Sequence, residues 1–150
     1  MKNIFDKAVS GELIARINNL TADTAPNWGT MNVGQMLAHC CVSYEFVFED
    51  IHKKPNAVKR FLLTLLIKPS VVSDKPYSNN SRTAPVFIKD GTHDFDVEKG
   101  RLTGYINKSQ ELGTAHFDGL DYQSFGKMTT TEFSNCFYKH LDHHLKQFGV

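Results

Sequence analysis

The chain has 150 residues, 41% of them hydrophobic and 22% charged, and a formal net charge of +1. That size and balance suit a single globular domain over residues 1–150 with a substantial core. The near-zero charge makes no electrostatic case for a nucleic-acid partner.

Residues Met1 to Asp6 lack the apolar run and small-residue cleavage site of a secretory signal. Phe61 to Ile67, the longest strongly apolar stretch, is far too short to span a bilayer. A cytoplasmic protein with no membrane partner is therefore expected. Its three cysteines, an odd number without a Cys-x-x-Cys pair, suggest no disulfide framework.

Helical periodicity opens at Ile4 and continues through Phe5, Val9, Leu13, Ile17 and Leu20. A polar loop follows, closed by Pro26. Asn32 with Gln35 three residues on has the pattern of a capping box, predicting a second helix from Val33 to about Asp50. Met36, His39, Cys40, Ser43, Phe46 and Val47 fall along one side of it.

From Ile51 to Pro85 the periodicity fades. Lys53, Lys54, Lys59, Arg60 and Lys68 flank Phe61 to Ile67, which reads as a membrane-surface or partner-docking helix or as a short helix packing over the other helices. The packing reading is favoured, since basic flanks on a short helix are common. Pro69, Pro76 and Pro85 mark a long irregular crossover. Asp94 or Asp96 caps a third long helix over about Val97 to Leu112, and Gly113 to Gly126 reads as a connection without convincing strand alternation. Thr129 with Glu132 forms a second capping box, opening a last helix that runs to about Phe148 and stops at Gly149. The pattern is all-α, a four-helix bundle with a long crossover.

The last helix carries the chemistry. Seven histidines are the compositional oddity, and three of them stand at 140, 143 and 144. His140 and His144 lie four apart, about 40° around a helix and about 6 Å along it, so both rings lean over one face. That face is apolar, made of Phe133, Cys136, Phe137, Leu141, Leu145 and Phe148. A lone histidine on a buried face, as His39 is, more often serves as a hydrogen-bonded core residue than as a ligand. Together the three can meet on a divalent ion and leave positions open, as in a catalytic rather than a structural site. Zinc, nickel, iron and manganese all suit imidazole. His143 belongs at the rim or in solvent, Asp142 at the surface, and His52, His93 and His116 in loops or helix ends. Cys40 reads as a core residue. No His-Glu-x-x-His, P-loop, Gly-x-Ser-x-Gly or glycine-rich dinucleotide motif is present.

The run Trp28-Gly29-Thr30-Met31-Asn32-Val33-Gly34-Gln35-Met36-Leu37-Ala38-His39, followed by His140-x-x-x-His144, resembles the DinB/YfiT-like metalloenzyme superfamily. The ending Tyr138 to Gly149 is similar to one branch, small bacterial proteins of unknown function. The resemblance implies an up-down-down-up four-helix bundle, a homodimer, and a divalent metal held by His39, His140 and His144. Where that branch often has His-Pro before Phe-Gly-Lys, this chain has Gln123-Ser124. Relatives in the superfamily include thiol-dependent S-transferases, so the expected function is metal-dependent transfer involving a low-molecular-weight thiol. A metal-dependent hydrolase and a non-catalytic metal-binding or stress-response module are the alternatives. Trp28, Met36 and Phe125 are the expected pocket walls.

Overall fold

Two capping boxes frame the helices that carry the histidines. Asn32 accepts a hydrogen bond from the Gln35 N–H at 2.9 Å while the Gln35 side chain accepts from the Asn32 N–H, so helix α2 (Val33–Phe48) starts at a defined residue. Thr129 and Glu132 do the same for α6 (Thr130–Gln147). The computed structural model describes residues 1–150. The other helices are α1 (Lys7–Asn18), α3 (Ala57–Leu66), α4 (Lys68–Val72) and α5 (Phe95–Phe117), with a 3-10 turn at Pro85–Phe87.

The chain is mostly helical, in keeping with the all-α class. Helix α2 packs against α5 and α6, α1 against α5 and α6, and α5 against α6. Between them lies one core of 25 buried apolar side chains. Phe117 is a hub of this core, stacked on Phe5 at 4.6 Å and set edge-on to Phe133 at 5.2 Å.

One sequence expectation gains a detail and two need correction. The third long helix ends at Leu112 as expected, but a further turn follows it. Gly113 takes φ +70, a left-handed conformation that costs glycine little, and the chain bends there before one more turn carries Phe117 into the core. Asp121–Tyr122 and Gly126–Lys127 pair as a two-residue antiparallel hairpin (β1 and β2), too short to carry a period-two signal. The segment Phe61 to Ile67 does form a helix, α3, but it does not pack its apolar side on the other helices. Thr64 donates to the Phe125 carbonyl at 3.1 Å and Arg60 pairs with Asp121, so the more polar side of α3 faces the hairpin.

One buried charge ties α2 to its neighbours. The Glu45 carboxylate accepts from Arg101 on α5 and from His52 in the following loop, each at 2.6 Å. A carboxylate taken from water needs such hydrogen-bond partners.

Candidate metal centre

The frame set at Asn32 turns His39 inward on α2, and the frame set at Thr129 turns His140 and His144 toward it on α6. Their rings are 4.5 to 4.9 Å apart by centroid. One ring nitrogen from each lies within 4.8 Å of the others. Three positions 101 residues or more apart, or one turn apart, thus converge on one point.

Each Nδ1 has its own outer partner. His39 Nδ1 lies 2.8 Å from the Phe87 carbonyl, which can only accept, so this nitrogen carries the proton and Nε2 is bare. His144 Nδ1 sits 2.7 Å from Gln147 Oε1. The Gln147 amide N–H donates in turn to the Trp28 carbonyl at 2.7 Å, which orients its oxygen toward His144. His140 Nδ1 is 2.9 Å from Ser43 Oγ, a hydroxyl able to donate or accept, and Ser43 also neighbours the Tyr122 hydroxyl. His39 Nε2 and His140 Nε2 are 2.8 Å apart, so a proton must lie between them. In the metal-free protein His140 supplies it from Nε2, and Ser43 donates to Nδ1. Rotating the Ser43 hydroxyl lets His140 carry its proton on Nδ1 instead, and all three Nε2 atoms then offer lone pairs inward.

Burial keeps the rings neutral. It pushes the His39 pKa down to about 4, against a smaller upward pull from the Phe87 carbonyl. It pushes His144 down to about 3, reinforced by the charge that His39 would carry. His140 is held well below the ordinary histidine range by burial and then by the other two rings. Neutral imidazole is the form that ligates a metal. The donor set fits an ion. A tetrahedral zinc with nitrogens at about 2.0–2.1 Å separates them by about 3.3 Å, so His39 and His140 would part by about half an ångström and the widest pair, within 4.8 Å, would close by up to about 1.5 Å.

The outer partners were hard to foresee. Ser43 lay on the inward side of α2 without a role, and Gln147 stands three residues after His144, a spacing that puts it beside that ring. Phe87 contributes a backbone carbonyl from the crossover, which no side-chain pattern announces. Its ring also packs on His39 and His140 at 5.3 and 5.7 Å. Of the expected pocket walls, Trp28 lies edge-on to His143 at 5.9 Å, Met36 is buried next to the Cys40 thiol, and Phe125 stacks on Tyr122.

His143 is half-buried at the rim, in a cleft of about 320 Å³ lined by Trp28, Tyr77 and Lys139 among others. His52 pairs with Glu45 and His93 lies 3.7 Å from Glu98, while His116 packs edge-on to Phe117. None of them joins the three-histidine group. Asp142 pairs with Arg16 and Lys146, and Gln123 bonds the His52 carbonyl. Cys40 is buried, and burial raises its pKa well above the usual thiol value, so it is no nucleophile.

Gln147 gives a direct check on the outer partners. Gln147→Leu is expected to weaken zinc binding by about 10–100-fold, measured by competition with a chromophoric chelator. Gly29→Ala should act the same way without touching the rings. Gly29 has φ +81, and a Cβ there would fall 2.7 Å from the Gln147 amide nitrogen, which is pinned between His144 and the Trp28 carbonyl.

No curated protein and no solved structure matches this chain. A family model described as a protein of unknown function, DUF1569, matches residues 6–149, and the chain belongs to that family.

Proposed function

We propose that this protein is a divalent-metal enzyme of the DinB/YfiT type, its long helices α1, α2, α5 and α6 forming the four-helix bundle of that superfamily. His39, His140 and His144 are the ligands. The reaction is transfer of a low-molecular-weight thiol to an electrophile. The observation that carries this reading is the polarity of the three rings. Their Nδ1 atoms are engaged outward by Phe87, Ser43 and Gln147, which leaves the Nε2 atoms to face one another. When bound, zinc or nickel, or else iron or manganese, supplies a charge that lowers the pKa of a thiol or water at an open position.

The chain's own residues hold the site dry and fixed. Phe87 covers two of the rings, and Ser43 and Gln147 hold His140 and His144 at a set rotation. The cleft lined by Trp28, Tyr77 and His143 adjoins the group through the His143 ring, 5.1 Å from that of His144, without including any of the three ligands. No carboxylate stands in the group as a general base for water, which ranks the hydrolase second. Glu45, the one carboxylate on α2, is already held by His52 and Arg101. The thiol reading therefore stands first.

The test is to strip the protein, reload it separately with zinc, nickel, iron and manganese, and assay conjugation of small thiols to electrophiles. Acceleration with one metal, lost in His144→Ala, is the expected result. Tight metal binding with no conjugation under any loading would remove the transferase. Ester or amide cleavage instead would make it a hydrolase, and no reaction at all would leave a metal-binding module.

A further inference from the structure

Helix α3 is built inside out. Around its axis Val58, Phe61, Leu62, Leu65 and Leu66 share one arc, and that arc faces solvent: Val58 is 70% exposed, Phe61 65%, Leu65 60% and Leu66 66%. The opposite arc, with Arg60, Leu63 and Thr64, lies on the hairpin. Exposed Ile67 follows the helix directly. A contiguous patch of this kind marks a surface that something else covers.

The charges around it name the occupant. Across residues 51–73 there are four lysines and one arginine and no aspartate or glutamate; Arg60 pairs with Asp121 and Lys68 with Glu132, which leaves Lys53, Lys54 and Lys59. Lys53, Lys54 and Lys59 are exposed. Lys54 meets only the equally exposed Asp50, and Lys53 and Lys59 have no carboxylate partner. The same segment of a second copy offers no carboxylate to neutralise these lysines, since residues 51–73 hold none. An anionic lipid surface neutralises them and takes up the apolar arc at once. No helix of the chain is long and apolar enough to cross a membrane, and α3 has 10 residues, so it would lie in the interface plane.

We infer that α3 is an interfacial anchor that docks the protein on an anionic lipid bilayer. This rests on the orientation of α3 alone and is independent of the metal. The test is flotation of the full chain with phosphatidylcholine vesicles containing phosphatidylglycerol, against pure phosphatidylcholine vesicles. The protein is expected to float with the anionic vesicles, less so as salt rises, and to stay behind with the neutral ones. Phe61→Ser with Leu65→Ser should lower partitioning by roughly a hundredfold. Lys53→Gln with Lys59→Gln should lower it about fivefold per lysine. Circular dichroism and zinc affinity of both variants, unchanged from the parent, show that the fold is kept. Failure to float with anionic vesicles overturns the inference. So does a wild-type dimer, seen by sedimentation, that Phe61→Ser with Leu65→Ser splits into monomers, because the arc then belongs to a second copy.

Discussion

Zinc is expected to raise the melting temperature of the metal-free protein by roughly 5–10 °C at a hundredfold excess over its dissociation constant, and His140→Ala to abolish that rise. A ligand that binds only the folded chain must stabilise it by mass action, so the shift follows from binding itself. His140 is the ring to remove because its Nε2 lies 2.8 Å from His39 Nε2 and it stands one turn before His144. Without it two nitrogens remain, too few for a specific site at ordinary metal concentrations. The helical circular dichroism should survive, since the residue lies at the edge of the core rather than within it. A melting temperature indifferent to zinc in the wild type, with no metal found by elemental analysis, would remove the metal centre.

The second large effect is acid lability of the metal-free protein. In the unfolded chain each histidine titrates near the ordinary value, while in the fold His39 titrates at about 4 and His144 at about 3. Between those limits the unfolded chain binds more protons than the folded one, so stability falls as pH falls. The loss begins near pH 6.5 and continues to about pH 4, and His39 alone contributes about 3 kcal/mol of it. Urea midpoints at intervals from pH 7 to 5 isolate the histidine part, because most carboxylates titrate lower. His144→Leu should make the profile shallower in that range, the remainder coming from His39 and His140. Bound zinc should move the loss to lower pH, since protons must then displace the ion. A flat profile for the metal-free wild type would contradict the burial of the rings.

What the sequence made legible follows the strength of its local rules. The capping boxes at Asn32 and Thr129 placed both histidine-bearing helices, and with them the inward faces of His39, His140 and His144. The rest depended on contacts between distant parts of the chain. Whether α3 turned Phe61 in or Arg60 in was decided by Asp121 and the Phe125 carbonyl, about 60 residues away, and helical periodicity is blind to that choice. The kink at Gly113 and the further turn to Phe117 came from a place in the core that the ring could fill, stacked on Phe5. Phe87 was illegible in a different way, because the crossover supplies a carbonyl, and every residue has one.

His39 and His140 are 101 residues apart, so an ion joining them closes a loop through two-thirds of the chain. A disulfide across that span would restrict the unfolded chain by about 4–5 kcal/mol in the chain-entropy account. Coordinate bonds to imidazole would make the same staple without any redox chemistry. A chelator would then play the part that a reductant plays for a disulfide, and the supply of free metal in the protein's surroundings would set how tightly the chain is fastened.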